Sequence, residues 1–384
     1  MSLPSPLPGP ASAWRATLFS AVALALALTG DQLLYVVLPL QAEAFGVSIF
    51  WVGILLSANR WIRVLAYGEV ARLGHRIGPK RLTVVAAICA TVSTTLYAAG
   101  EGDWILLGSR LLWGLSFAAF NLTALVYALG DGRNPARRIG LARAIRQIGP
   151  ALAAAGGAWL ALLLGPRDVF YVMAALTALA VPLALALPND HPPEQAVPAR
   201  AFTAPSAFDL VSFANGFTVE GVFMVTVGLL FATDASAAGA LLSAGIAIAG
   251  RHVVVIVMGP IGGVLADRFG IDRVLLYSTM LVVAGFAAVP LGLIAPGVTL
   301  ILLGRGAQAA VGPIVATRRN PANPMRALSA NATWSDLGAA LGPTLAGVVI
   351  GLVSLDWIYA AMALMIGGLF GNFLWRGSPA GHQR

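Results

Sequence analysis

Runs of twenty or more mostly apolar residues follow one another along almost the whole chain, separated by short turns rich in Gly, Pro and charge. A helix needs about 20 residues to cross the ~30 Å hydrocarbon of a bilayer, and only a helix or a closed barrel satisfies its own backbone there. The runs are continuous and lack the apolar–polar alternation of barrel strands, so helices are predicted. Turn and charge signals cut the 384 residues into twelve spans: 14–40, 48–72, 79–99, 103–130, 137–164, 167–188, 206–233, 236–266, 271–294, 297–318, 326–353 and 356–376. Only 10% of the residues are charged and 58% are apolar. An ordinary soluble domain carries about 25% charged residues, so a water-soluble exterior cannot be built from this supply.

The net charge of +8 is spread over short gaps and forms no single patch, which argues against nucleic acid as a partner. The even-numbered turns carry Arg72, Arg76, Lys80 and Arg81, then Arg133, Arg137 and Arg138, then Arg200, then Arg268 and Arg273, then Arg318, Arg319 and Arg326. The odd-numbered turns carry Glu43, Glu101, Asp103, Asp234 and Asp356, with Arg167 beside Asp168 as the exception. The positive-inside rule then places both termini and the central linker in the cytoplasm, as a multi-pass protein of the inner membrane. The first run leads into Asp31 and Pro39 without a cleavage site and is read as a retained helix. Cys89 is the single cysteine, which excludes an intrachain disulfide and any C-x-x-C site.

The second half repeats the first at an offset of about 190 residues. His75-Arg-Ile-Gly78 falls on Asp267-Arg-Phe-Gly270, Gly149-Pro150 on Gly342-Pro343, Arg110 near Arg305, and Asp31 on Glu220. The organisation follows: a disordered tail at 1–13, a six-helix half at 14–188, a polar linker at 189–205, a second six-helix half at 206–376 and a tail at 377–384. The fold expected is an all-α integral membrane protein of two pseudo-symmetric six-helix bundles.

Charges at membrane depth cost at least ~2.5 to 3.5 kcal/mol each and therefore mark functional positions. Asp31, Arg60, Arg63, Arg110, Glu220, Arg251, Arg305 and Asp336 lie within spans. Arg60 and Arg63 share one face of the second helix, with Asn59 and Trp61 beside them, and Arg251 occupies the matching region of the eighth. Guanidinium binds carboxylate or phosphate through a planar fork. Five arginines against three acids thus favour an anionic or zwitterionic small molecule held by Arg60, Arg251, Asn59, Arg63, Trp61 and Trp113. The alternative is that the arginines only neutralise the acids, for example Arg60 with Asp31. A carboxyl beside an arginine can load and release a proton as its surroundings change, so Asp31 and Glu220 are the expected proton-coupling acids. Arg143 and Asp336 are expected to pair across an inner gate with loop residues such as Asp267, in one state only.

Gly263-Val-Leu-Ala-Asp267-Arg268-Phe-Gly270 with Arg273 resembles the G-x-x-x-D-R-x-G loop motif of the major facilitator superfamily. The first-half copy keeps Arg76, Gly78, Lys80 and Arg81 but has Ala71 and His75 in place of the glycine and the acid. Arg110 with Gly114 resembles the family's fourth-helix R-x-x-x-G, which implies a coupling or structural role for Arg110 and for Arg305 as its second-half echo, and so adds both to the proton-coupling set. Gly338-Ala-Ala-Leu-Gly342-Pro343 has the spacing that the family's antiporters show in the fifth helix, here in the eleventh. The resemblance implies two six-helix halves around a central cavity, alternating access, and gating by Asp267, Arg268, Gly270, Arg76 and Gly78.

The chain has no Walker loop and no H-E-x-x-H or H-x-x-x-H, so neither ATP, metal nor another cofactor is expected, and no enzymatic constellation is recognisable. The reading is a secondary transporter of a small organic solute, proton-coupled and exporting, acting as a monomer in the bilayer. The competing readings are an anion exchanger that moves no proton and a receptor or scaffold on the same fold.

Overall fold

The computed structural model describes residues 10–38, 41–130, 134–189, 204–230, 237–318, 320–349 and 352–377. Among them the chain forms helices and no strand. The first half contains α1 (Pro10–Val37), α2 (Ile49–Ile77), α3 (Pro79–Ala99) and α4 (Asp103–Leu129). Its α5 runs through Pro135–Leu152, a π-helical turn at Ala153–Gly157 and Ala158–Leu164, and its α6 through Val169–Ala178 and Ala180–Leu185. In the second half α7 comprises Ala207–Asn215, a π-helical stretch at Gly216–Val222 and Phe223–Leu230. There follow α8 (Ala237–Phe269), α9 (Ile271–Ala288), α10 (Ile294–Thr317), α11 (Pro324–Val349) and α12 (Leu355–Gly377). Seven of these helices are long and apolar enough to cross a membrane by length and composition; the others are interrupted or more polar.

Local chemistry explains most boundaries. The turn between α2 and α3 is a single glycine, Gly78, with φ +85°, and Gly270 with φ +91° makes the corresponding turn between α8 and α9. That left-handed region is open to glycine at no steric cost, so each half reuses one residue to reverse the chain. Pro79 and Pro135 stand at the first positions of α3 and α5, where a missing N–H breaks no bond. Pro182 cannot donate to the carbonyl of Ala178, and α6 tightens at that level, with the Leu179 amide bonding to the Leu176 carbonyl at 3.2 Å.

Several ends differ from the sequence expectation. The first helix begins at Pro10, ahead of 14; α2 continues to Ile77, past 72; α8 reaches Phe269, past 266. Each of the last two stops at its turn glycine, not at the first charged residue, because arginines near a helix end reach the interface and do not break the helix. α9 stops at Ala288, short of 294, and closes in a 3-10 turn at Val289–Leu291 that carries Pro290. The linker expected at 189–205 falls almost wholly outside the described residues, as do Met1 to Gly9 and the end of the chain past Gly377.

The apolar cores are arranged unequally along the bundle. One cluster, with Leu33, Phe45, Tyr97 and Phe170, fills the first half at the end away from the termini. Another, with Phe223, Phe286, Val298 and Tyr359, fills the same end of the second half. A third joins the halves at the opposite end, running from Tyr67 and Leu82 through Ile139 to Leu275, Met325 and Leu328. Glycines make this junction close. A Cβ on Gly140 of α5 would lie 2.1 Å from the Gly259 carbonyl of α8, and one on Gly263 would lie 2.6 Å from Cα of Arg137. Across α2 and α11, a Cβ on Gly74 would meet the Met325 sulfur at 2.5 Å. The halves are therefore pressed together from mid-bundle to the end that carries the basic turns.

Candidate functional site

Between the halves lies a cavity of about 290 Å³. Its lining includes Arg60 and Arg63 of α2, Arg143 and Arg146 of α5, Arg305 of α10, Glu220 of α7 and Asp336 of α11. Among the described residues five guanidinium groups thus face two carboxylates, with Asn121, Asn215, Gln308 and Asn331 adding neutral polar groups.

The α2 and α11 sides are tied across the halves. Arg63 donates from Nε to Asp336 Oδ2 at 2.8 Å, and the Tyr67 hydroxyl donates to the same oxygen at 2.9 Å. The Arg63 guanidinium also stacks over Phe117, 4.5 Å from the ring centroid. Arg60 donates to the Ala339 carbonyl at 2.8 Å. On the other flank, His252 Nδ1 of α8 is 2.9 Å from Gln147 Oε1 of α5.

The second-half acid sits where α7 widens. Glu220 is inside the π-helical stretch Gly216–Val222, and such bulges often occur at functional sites. Arg305 Nε approaches Glu220 Oε1 at 3.4 Å as an ion pair without hydrogen-bond alignment, both side chains about one quarter exposed. Arg143 lies in the field of Arg146, Arg305 and Glu220, and its Nε has no hydrogen-bond partner among the described residues.

The first-half acid is placed differently. Asp31 is held by Arg110 of α4, whose side chain is 0% exposed, and neither lines the cavity. Arg110 is fixed on all sides. Its Nε donates to the Leu55 carbonyl at 2.9 Å, its other nitrogens donate to the hydroxyls of Tyr97 at 3.3 Å and Tyr35 at 3.2 Å, and it lies over the Tyr35 ring. The partner of Asp31 is therefore Arg110 and not Arg60. Burial of a guanidinium demands a carboxylate and carbonyl oxygens around it, and the fourth helix brings its arginine nearer that acid than the second does.

The remaining sequence candidates divide. Arg60 and Arg63 come together with Glu220 and Arg305 at the cavity. Asn59 is buried and accepts a long bond from Tyr35 at 3.5 Å. Trp113 is 1% exposed and packs against Phe117 in the shared core, while Trp61 is 42% exposed, and neither lines the cavity. The side chain of Arg251 lies outside the described residues. Asp336 meets Arg63 and Tyr67, and Asp267 is exposed near Arg137, so the expected contact of Asp336 with the loop is not the one formed. Arg268 lies over the ring of Phe269, Arg76 is exposed beside Gly78, and Arg143 belongs to the cavity wall. The sequence alone does not single out Arg146, Tyr67, Asn121, Gln308 or Asn331. Arg146 is legible in principle: it stands three residues after Arg143, the spacing that puts Arg60 and Arg63 on one face.

With two six-helix halves around a charged central cavity, the fold defines a polytopic membrane transporter. The family model described as Major Facilitator Superfamily matches residues 20–218, and the chain belongs to that family. Among solved structures, the human organic anion transporter MFSD10 (TETRAN) superimposes with a TM-score of 0.77 at 17% identity, covering 95% of this chain and 99% of that one. The fucose:proton symporter FucP of E. coli, in a single-residue variant, superimposes with a TM-score of 0.74 at 14% identity, covering 95% of this chain and 98% of that one. A search of curated protein sequences finds no match. At such identities the structural likeness shows the fold alone.

Proposed function

We propose that this transporter carries a small organic anion or zwitterion through the central cavity, coupled to proton movement, and that it exports its solute. The observation that carries the reading is the charge of the cavity wall, five arginines facing two carboxylates. Uncompensated positive charge in a low-dielectric site is costly, and an anionic solute offsets it. The names of MFSD10 and FucP, an organic anion transporter and a proton symporter, accord with both halves of the reading.

Substrate contact is assigned to Arg60 and Arg63, with Arg143, Arg146 and Arg305 completing the wall. Proton coupling is assigned to the pairs Glu220–Arg305 and Asp31–Arg110. An anion that draws Arg305 away raises the proton affinity of Glu220, because a carboxylate that loses its cationic partner is less stable charged. The halves 14–188 and 206–376 are taken as the bodies that rock about this site, joined by the linker 189–205, in a monomer whose termini lie in the cytoplasm of a cell bounded by the inner membrane. Gating is assigned to the turns at Arg76, Gly78, Asp267, Arg268 and Gly270 and to the Arg63–Asp336 contact. Export draws its support from the G-x-x-x-G-P motif of α11. Its Gly338 and Gly342 sit on α7, where a Cβ would come within 2.2 Å of the Phe213 carbonyl and 2.4 Å of the Phe217 carbonyl, so the motif seats α11 on the helix that bears Glu220.

A second reading, anion exchange with no proton moved, is favoured by the place of Asp31, which pairs with the enclosed Arg110 away from the cavity. The two are separated in reconstituted vesicles under an imposed proton gradient with a panel of organic anions. Loss of gradient-driven flux in Glu220→Gln and Asp31→Asn, with counterflow of unlabelled solute retained, is the outcome of coupling. Gradient-driven flux that survives both substitutions sinks it. Arg60→Lys tests the anion site, since an ammonium cannot reproduce the guanidinium fork.

A further inference from the structure

The first half carries a second recess, of about 440 Å³, unrelated to the central cavity. Residues of α2, α3 and α4 line it, and its walls are almost wholly apolar, with Leu73, Val85 and Leu115 among the exposed large hydrophobic side chains of the molecule. Along α2 it runs from Ala66 to Arg76, a rise of roughly 15 Å at ~1.5 Å per residue. That is half of the ~30 Å hydrocarbon thickness, the depth of a single leaflet.

One end of the recess is charged. Arg72 and Arg76 line it there, Arg72 pairing with Glu69 at 2.5 Å. Arg76 is exposed and has no ion pair among the described residues. Lys80 and Arg81 begin α3 just past the turn at Gly78. Among the described residues four cations and one carboxylate thus stand at the level where a helix end meets the membrane surface, above an apolar slot open to the bilayer. Arginine matches phosphate oxygens bidentately, and basic groups between helix ends attract anionic lipid headgroups.

We propose that this recess binds one anionic phospholipid, its phosphate on Arg72 and Arg76 and one acyl chain lying along α2 between α3 and α4. The depth of the slot selects a chain from the leaflet on the basic-turn side. The excess of cations at its mouth disfavours a headgroup that brings its own ammonium. The lipid backs α2 from outside, on the helix whose other face carries Arg60 and Arg63 to the second half.

Native mass spectrometry of the full-length protein with equal phosphatidylglycerol and phosphatidylcholine tests this. The wild type is expected to retain one phosphatidylglycerol preferentially. Arg72→Gln and Arg76→Gln should each weaken that retention roughly fivefold. Val85→Trp, which fills the slot without touching a charge, should displace the lipid as well. Arg273→Gln, in the second-half turn, should not. Melting of each variant without lipid confirms that it is folded. Cys89, the chain's only cysteine, lines the recess, so bound phosphatidylglycerol should also slow its modification by a maleimide. Equal retention of both lipids, unaffected by the arginine substitutions, overturns the proposal. So does retention that needs the arginines but survives Val85→Trp with Cys89 unprotected, because the headgroup then sits on the surface with no chain in the slot.

Discussion

Arg305 stands 3.4 Å from Glu220 in the second half, and the same two helices of the first half, its first and fourth, bring Arg110 onto Asp31. The internal repeat has thus kept an ion pair, not only a set of similar residues. The environments diverge. Arg110 is wholly enclosed by Leu55, Tyr35, Tyr97 and Asp31, whereas Glu220 and Arg305 open on the cavity. One copy of the pair is enclosed by the first half, and the other opens on the cavity where a solute can reach it.

Stability measurements should separate the two copies. Asp31→Asn leaves an enclosed guanidinium without its counter-charge, a loss of about 3–5 kcal/mol. Glu220→Gln removes a partly exposed and poorly aligned pair, expected to cost less than about 1 kcal/mol. In detergent, thermal unfolding of Asp31→Asn should fall far below that of Glu220→Gln. The double variant Asp31→Asn, Arg110→Gln should recover part of the loss; strictly additive losses would show that the two residues do not act as a pair.

The reach of the sequence can be judged from these residues. Spans, the halves and the charged intramembrane positions are legible because a bilayer imposes length and polarity on each helix separately. The pairing is not. Asp31 is far nearer in sequence to Arg60 than to Arg110, and only the packing of α4 on α1 and α2 decides for Arg110. Trp113 reads as a pocket residue for the same reason: helical spacing puts it near arginines, but which face it shows depends on neighbours. Arg146 is visible but sits in a stretch so basic that the turn explains it. The contact of Asp336 with Arg63 and Tyr67 joins residues some 270 apart, which no local pattern encodes.

Gly140 controls how closely the halves meet. A methyl group there would lie 2.1 Å from the Gly259 carbonyl, inside contact distance, so Gly140→Ala must push α5 from α8. Overpacking of this kind costs about 1–3 kcal/mol. Its specific effect should be at the basic-turn end. In a Cys89→Ser background, a cysteine placed at Met325 should react severalfold faster with a soluble thiol reagent once Gly140→Ala is added. An unchanged rate would mean that this glycine contact does not hold that end shut.

Asp336 is the acid through which α11 holds α2. Asp336→Asn keeps a hydrogen-bond acceptor for Tyr67 but removes the charge that balances Arg63. The half-to-half contact should weaken, and spin-label distances between the ends of α2 and α11 should broaden toward longer values. Arg63→Lys should have a smaller effect on the distances than Asp336→Asn, because a point charge can still reach the carboxylate although the fork is lost. Identical distance distributions in wild type and Asp336→Asn would remove this contact from the gate.

Arg146 decides whether the cavity recognises charge. It donates to Asn121 Oδ1 at 3.3 Å and contributes one of the five guanidinium groups of the wall. Hydrogen bonds to charged groups are worth about 1.5–3 kcal/mol, so Arg146→Gln should weaken binding of an organic anion by roughly ten- to a hundredfold. Binding of a neutral solute of the same shape, if any is found, should change little. Thermal stabilisation titrated with matched acid and amide pairs reads this directly. Equal loss for acid and amide would assign Arg146 to the shape of the wall and return the anion preference to Arg60 and Arg63.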